Sequence, residues 1–331
     1  MLKIGVVGAT GAVGETFLEL IAKRPEQYEV ICFASEKSAG QTLTVGSQSF
    51  KVNLFSVQRA ADCDIIFLCV SGHFALQYGE ALAKHSFVVD NSSAFRYHDN
   101  VPLLVPPVNA NDYGGERLIA NPNCSSAIAL MALGPLHAAY CLDSMIVSTY
   151  QAASGAGKPA MKELRDSVAS FIDYARESDS KYFFHDLAYN VVPQVDRFED
   201  NGYTKEEMKI VWEVRKVLRL PELPISATAV RVPTLRSHAE SLSIRFKKPV
   251  RDIEKVRELL RTSPGVILRD DTANSIYPMP KTSTYQHAVE VGRIRKSLIH
   301  GDYGLDIFIS GDQLLRGAAL NAFEILQLIR P

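Results

Sequence analysis

Charge of a dominant sign is missing: 36 Lys and Arg stand against 37 Asp and Glu, a formal net charge of −1. That balance excludes the basic footprint of a nucleic-acid binder and the self-repulsion of a charged disordered chain. No run approaches the roughly 18 apolar residues of a membrane span. The opening "MLKIGVVGAT" has no basic leader with a separate apolar stretch and cleavage site, so the expected location is cytoplasmic, with no membrane partner. Cysteine is scarce: Cys32, Cys63, Cys69, Cys124 and Cys141 are odd in number and never form a CxxC pair. This excludes a disulfide framework and a zinc ribbon, and no metal is expected. Internal repeats and low-complexity linkers are absent too. What is present is 47% hydrophobic and 22% charged residues over 331 positions, an ordinary globular composition long enough for two domains.

Hydrophobic periodicity gives the architecture. "LKIGVV" reads as a strand, the glycines of "GATGAVG" as a turn and "ETFLELIAKR" as an amphipathic helix. Further strands at "YEVICFA", "CDIIFLCV", "SFVVDNSS" and "RLIA", with a helix at "HFALQYGEALAKH", predict a parallel sheet covered by helices. Beyond Cys124 the strands bunch: "SMIVSTYQAAS", "ISATAVRVPT", "AESLSIRFKK", "AVEVGRIR" and "LDIFIS" predict a mostly antiparallel sheet. The helices "KPAMKELRDSVASFIDYARES" and "KEEMKIVWEVRKVLRL" are expected to pack on it, and the helix "QLLRGAALNAFEILQLI" to return to the first domain. The fold class is therefore α/β: an N-terminal Rossmann-like dinucleotide-binding domain plus an α+β domain. Its boundaries are set at 1–124 with 310–331 and at 125–309.

Gly8, Gly11 and Gly14 form a GxxGxxG turn between strand and helix, the context in which missing side chains let backbone N–H groups and a helix dipole approach a pyrophosphate. At the end of the second strand, "FASEKSAG" offers Ser35, Lys37 and Ser38 to a 2′-phosphate, with Glu36 among them as the opposing feature. The balance favours NADP over NAD. Cys32, Cys63 and Cys69 sit in or beside apolar strands as inert hydrophobes. Cys124 follows "NPN" at the start of a helix and at the carboxyl end of a predicted parallel strand, where a thiolate is stabilised and ligands bind. Position alone leaves filler and nucleophile both open. A nucleophilic thiolate beside nicotinamide points to aldehyde chemistry through a thioacyl enzyme. His238, at a strand junction with Arg231 and Arg236 nearby, is the histidine with supporting context; isolated, it reads as a turn residue. The turn "SGAG" after Gln151 has the small residues that bring backbone against an anion or a flat ring.

Eight motifs in order, "GATGAVG", "ASEKSAG", "NSSAFR", "NPNCSS", "TYQAASGAG", "NGYTKEEMK", "SATAVRVPTLRSHAES" and "RGAALNA", resemble the aspartate-semialdehyde dehydrogenase family over essentially the whole chain. The resemblance implies Cys124 as thioacyl nucleophile, His238 as acid/base and Gln151 as the group that orients the substrate carbonyl. It implies Arg231 for the α-carboxylate, Glu206 for the ammonium, and Arg96 and Lys209 for phosphate, with Asn123 in the same pocket. For the cofactor it implies Gly8, Thr10, Gly11, Ala12 and Val13 at the pyrophosphate, and Ser35, Lys37 and Ser38 at the 2′-phosphate. Ser154, Gly155 and Gln313 would serve the nicotinamide. The reaction implied is NADP-dependent reductive dephosphorylation of aspartyl phosphate to aspartate semialdehyde and free phosphate, reversibly, in the lysine, threonine, methionine and diaminopimelate pathways. A homodimer or homotetramer is implied, with the second domain's sheet at the interface. The sequence departs from the family pattern at Lys37, Pro107, Ala153, Gln313 and Arg316. The rival acyl-phosphate reductases that act on an N-acetylated substrate have no ammonium for Glu206 to pair. A non-catalytic paralogue would have no need of Cys124, His238, Gln151 and Arg231 together.

Overall fold

The computed structural model describes residues 1–24, 26–174 and 180–329. The chain forms two compact units, Met1–Asn123 with the residues from Ala318 onward, and Cys124–Gly317.

The first unit is built on β1 (Leu2–Val7), α1 (Ala12–Ile21), β2 (Tyr28–Ala34), β3 (Thr42–Val45), β4 (Gln48–Leu54), α2 (Val57–Ala60), β5 (Ile65–Leu68), α3 (Gly72–Ala83), β6 (Phe87–Asp90), α4 (Pro106–Asn109) and β7 (Leu118–Ala120). Seven strands pair in the order β3-β4-β2-β1-β5-β6-β7. All pairs are parallel except the β3–β4 hairpin. Val6 and Val7 of β1 and all of β5 are buried, the continuous apolar runs that a central parallel strand requires. The chain leaves β1 for β2 on one side and later returns to β5 on the other, which makes the carboxyl end of β1 a switch point of the Rossmann type. The β3–β4 hairpin was not expected, because its polar, half-exposed alternation lacks the apolar signal of the inner strands.

The second unit contains α5 (Cys124–Tyr140), β8 (Leu142–Gln151), α6 (Lys158–Tyr174), α7 (Lys205–Val217), β9 (Ile225–Arg231), β10 (His238–Phe246), α8 (Ile253–Thr262), β11 (Val266–Leu268), α9 (Pro280–Ser283), β12 (Val289–Ser297) and β13 (Gly301–Gly311). Its six-stranded sheet runs β11-β12-β13-β10-β8-β9 and is antiparallel from β12 through β8, with a parallel pair at each edge. Alternation along β8 buries Val147, Thr149 and Gln151 on one face and leaves Ile146 and Tyr150 exposed on the other. α5 is apolar nearly all round and buried along most of its length, as a helix inside a core must be. α6 ends at Tyr174 among the described residues, and the rest of its expected span lies outside them.

The second boundary falls later than expected. Residues 310–317 belong to the second unit, because Asp312 and Gln313 bond to Arg236 and Ser237 there. The final helix also differs. Asp312 caps the N–H groups of Leu314 and Leu315, Leu315–Ala319 is π-helical, and only Leu320–Leu328 forms α10. Phe323 of α10 packs on Phe17 and Tyr28, which returns the chain to the first unit and makes the second an insertion. Among the described residues no helix is long and apolar enough to cross a membrane, and no His, Cys, Asp and Glu residues are grouped to hold a metal.

Candidate active site

In the first unit the glycine turn closes tightly on itself. Gly11 N–H donates to the Gly8 carbonyl at 3.0 Å, and Gly8 holds φ +83°. A Cβ at Gly8 would lie 2.2 Å from the Cys69 carbonyl, and one at Gly14 would lie 2.4 Å from the Gly8 carbonyl. The glycines are therefore required by the backbone on which they pack. Gly11 caps α1 without a side-chain hydrogen bond, and the helix opens with Ala12 and Val13. Gly8, Thr10 and Gly11 line a cavity of about 540 Å³ together with Ser35, Glu36 and Phe74. Ser35 and Glu36 are exposed at its rim. Lys37 and Ser38 lie in the same turn, where Ser38 N–H donates to the Ser35 carbonyl, but they are not among the lining residues.

Arg96 and Asn123 also belong to the first unit and are buried. Arg96 donates from Nε to the Asn121 carbonyl at 2.8 Å and from Nη2 to the Asn91 carbonyl at 2.9 Å. Its guanidinium is thus fixed by backbone oxygens at the ends of two parallel strands.

The second unit brings Cys124, Gln151, Glu206, Lys209, Arg231 and His238 into one unit. Strand register does most of this work. Gln151 pairs with Arg231 across β8 and β9, and Tyr150 pairs with Ala239 across β8 and β10, which sets His238 opposite Gln151. Three functional side chains so stand in one row on one face of the sheet. Gln151 is 1% exposed; its amide donates to Glu206 Oε1 at 3.1 Å and lies 3.4 Å from His238 Nε2, while its oxygen accepts from Thr149 Oγ1 at 3.2 Å. Arg231 donates from Nη1 to the Ala152 carbonyl at 2.7 Å. Burial pulls the Arg231 guanidinium below its usual range, while the negative charges of Glu206 and Cys124 push it back up.

His238 is fully buried. Its pKa is pushed down to about 3, first by that burial and then by Arg231. The Ala152 N–H donates to its Nδ1 at 3.0 Å, so the neutral ring carries its proton on Nε2, the atom beside Gln151. Cys124 opens α5 and is half-buried. Gly317 packs against it so closely that a Cβ there would lie 2.7 Å from the Cys124 Cβ.

Glu206 and Lys209 sit on α7, whose start is secured by a capping box between Thr204 and Glu207. Lys209 Nζ bridges Glu206 Oε2 at 3.0 Å and Asp196 Oδ2 at 2.8 Å, and these acids push the lysine up despite its burial. Asp196 has no local sequence signal and was not anticipated. Ser154 and Gly155 lie in a short 3-10 turn, Ala153–Ala156. A Cβ at Gly155 would fall 2.9 Å from Arg231 Nη1 and 3.2 Å from His238 Nε2, so its lack of a side chain also makes room for those two residues. Gln313 is 2% exposed, and both ends of its amide are engaged within the protein. Asp312 was also missed, although an acidic residue preceding a helical pattern is a recognisable cap signal.

The chain is similar to known proteins over nearly its whole length. Residues 3–115 match the family model "Semialdehyde dehydrogenase, NAD binding domain" and residues 133–316 match "Semialdehyde dehydrogenase, dimerisation domain". The chain is 38% identical to the aspartate-semialdehyde dehydrogenase of Bacillus subtilis, covering 99% of this chain and 97% of that one. It is 40% identical to the Campylobacter jejuni enzyme of the same name, over 98% and 96%. The structure superposes on aspartate semialdehyde dehydrogenase II complexed with ASA from Vibrio cholerae with a TM-score of 0.93 at 33% identity, over 99% and 98%. With the Candida albicans enzyme solved with NADP the TM-score is 0.77 at 25% identity, over 99% and 98%. The chain therefore belongs to the aspartate-semialdehyde dehydrogenase family: it is an oxidoreductase of amino-acid biosynthesis with an NAD(P)-binding domain and a dimerisation domain.

Proposed function

We propose that the chain catalyses the reversible, NADP-dependent conversion of L-aspartyl 4-phosphate to L-aspartate 4-semialdehyde and phosphate through a thioacyl intermediate on Cys124, in the route to lysine, threonine, methionine and diaminopimelate. The observation that carries the reading is the grouping, in one unit, of a cysteine at a helix start with buried His238, Gln151, Arg231 and Glu206. That set matches a substrate bearing a carboxylate, an ammonium and an acyl phosphate.

The residues present fit a dinucleotide. The glycines at 8, 11 and 14 let the turn close on its own backbone, and the cavity lined by Gly8 and Gly11 has room for a nucleotide half. When bound, the nicotinamide supplies or accepts the hydride. Gly8, Thr10, Gly11, Ala12 and Val13 are assigned to its pyrophosphate, and Ser35, Lys37 and Ser38 to the 2′-phosphate that distinguishes NADP from NAD.

In the reductive direction Arg231 pairs with the substrate carboxylate through its two-pronged guanidinium, a geometry lysine lacks. Glu206 is assigned to the substrate ammonium, Lys209 and Arg96 to phosphate, and Asn123 to substrate binding. Negative charge on the Cys124 sulfur is favoured by the start of α5 and by Arg231. The sulfur attacks the acyl carbon, the C–O bond to phosphate breaks, and phosphate leaves with the electron pair. Gln151 orients the carbonyl. His238 Nε2–H would donate to the oxygen of the thioester carbon and so stabilise the negative charge that reduction of that carbon places there. Collapse reforms the carbonyl, breaks the C–S bond and returns the sulfur to its charged form. The dimerisation domain is assigned to a homodimer or homotetramer joined through the exposed face of its sheet.

The test follows absorbance of NADPH with aspartate semialdehyde, NADP and phosphate, with NAD as a parallel trial and Cys124→Ser alongside. Phosphate-dependent NADPH formation that vanishes in the variant is expected. Equal rates with NAD would overturn the assignment of the 2′-phosphate site, and an inactive wild type that still binds NADP would overturn the substrate.

A further inference from the structure

Between α6 and α7, residues 180–192 form neither helix nor strand apart from one bridge, yet they are pinned at three places. At the start the Glu163 carboxylate accepts from the Lys181 N–H at 2.9 Å, from the Tyr182 N–H at 3.2 Å and from Ser180 Oγ at 2.8 Å. In the middle Asp186 accepts from Ser167 Oγ of α6 and from the Ala188 N–H. At the end Val192 exchanges two backbone hydrogen bonds with Arg231, at 3.0 and 2.8 Å. The segment is a strap tied to α6 and to the last residue of β9.

The strap buries Leu187 and Val192 against Ala153 and Leu164, and half-buried Phe183 packs on that cluster. From there its ring reaches the site: the guanidinium carbon of Arg231 stands over it, 6.0 Å from the ring centre. Arg231 is itself buried, and the bond from Nη1 to the Ala152 carbonyl is the only hydrogen bond of its guanidinium among the described residues. Gly155 closes on the same Nη1. One corner of the planar group is thus held by backbone and one face by a ring. The side-on fork of Nε–H and Nη2–H is left to a ligand, and that fork matches the two oxygens of a carboxylate.

We propose that Phe183 is a positioning residue for the substrate carboxylate: it stacks on the Arg231 guanidinium, excludes water from that face and keeps the plane turned so that Nε–H and Nη2–H meet the carboxylate side by side. The reading rests on the activity assigned above, in which Arg231 takes that carboxylate. It makes distinct chemical demands. Phe183→Tyr keeps the ring and its face. Phe183→Leu fills most of the volume in the cluster but offers no π-face to a cation. Phe183→Ala removes both. In Arg231→Lys the cation has no plane to orient, so the ring loses its purpose there.

The experiment uses the full-length protein with Phe183→Ala, Phe183→Leu, Phe183→Tyr, Arg231→Lys, and Phe183→Leu combined with Arg231→Lys. It measures kcat and KM for aspartate semialdehyde, KM for NADP, thermal unfolding, and the 1H–15N resonance of Arg231 Nε–H without substrate. Phe183→Ala is expected to raise KM for aspartate semialdehyde about 20-fold, the worth of a desolvated stack on a cation. Its kcat and KM for NADP should stay within about twofold of wild type, because binding shared by ground and transition states changes KM alone. Phe183→Leu should raise KM about fivefold at a nearly unchanged Tm, and Phe183→Tyr should stay within about twofold. Added to Arg231→Lys, Phe183→Leu should change kcat/KM by no more than about twofold, against about fivefold on its own. The Nε–H resonance, displaced by the ring current in the wild type, should move in Phe183→Leu and stay in Phe183→Tyr. A lower Tm with an unchanged KM would make Phe183 a brace of the strap and overturn the proposal. An equal effect in the Arg231→Lys background, or a resonance that does not move in Phe183→Leu, would overturn it as well. If Phe183→Ala does not fold, Phe183→Leu decides by the same readouts. The resonance needs no substrate, so it separates this proposal from the substrate assignment.

Discussion

Gly8 and Ser237 occupy the same left-handed region, φ +83° and +69°, one in each unit, and they reach it by opposite means. Gly8 does so because it has no Cβ, which would strike the Cys69 carbonyl. Ser237 has one and is held by Gln313 and Thr284. The first turn is a local property of the chain that works through bare backbone. The second is a tertiary property in which side chains distant in sequence hold the backbone in place. The contrast teaches that a glycine turn can be written in seven consecutive residues, whereas the turn before His238 is written across the second unit.

Replacing Gly8 with alanine should break the first side of this comparison most severely. The clash is with backbone, which cannot give way, so we expect a loss of about 3 kcal/mol or more in urea unfolding and no measurable cofactor binding; near-normal binding would show that the turn is softer than its geometry. Arg231→Lys probes the second side. Loss of the second prong and of the bond to Ala152 should reduce kcat/KM by about 100-fold, with unfolding changed far less; a change in stability equal to that in activity would make Arg231 a structural brace.

Acid should sharpen the comparison next. The folded pKa of His238, about 3, lies below its unfolded value near 6.5, so between those limits the unfolded chain binds the proton and the folded one does not. Stability contributed by this group is therefore complete above pH 6.5 and falls as pH drops toward 3, by up to about 1.4 kcal/mol per pH unit. His238→Gln should flatten that slope in unfolding measured from pH 7 to 5, and an unaltered slope would assign it to other groups. The smallest effect concerns Glu240, fully buried beneath His238 on β10 with neither carboxyl oxygen bonded among the described residues. Burial raises its pKa well above the usual range, so between the unfolded value and that raised value folding takes up a proton and stability declines as pH rises. Glu240→Gln should raise the Tm at pH 8 more than at pH 5.

What was legible beforehand follows the same division. The glycine turn, the parallel strands of the first unit and Cys124 at its helix start are written locally, in periodicity and turn chemistry, and the structure has them where the pattern put them. The family motifs also pointed to Gln151, Arg231 and His238, but not to the way three strands align them, since strand pairing over long separations leaves no trace in any short window. Gln313 shows the limit best. The family resemblance singled it out, but its partners, Ser237 and Ser154, become visible only when the sheet is closed. Asp196 is similar: nothing near it in the chain announces the lysine it holds.

The row of Arg231, Gln151 and His238 has a consequence for how the protein comes into being. Gln151 and His238 are 87 residues apart in the chain, and their strands must zip in a single register, since a slip of one position would turn each of these side chains to the wrong face. Closing so long a loop is entropically slow compared with winding α5 or α7. During refolding, helical signal should thus return before turnover, and a newly made chain stays chemically silent until its last long-range pairing is complete. The alignment of these three side chains is itself a proofreader of topology: only molecules that have finished folding correctly possess it.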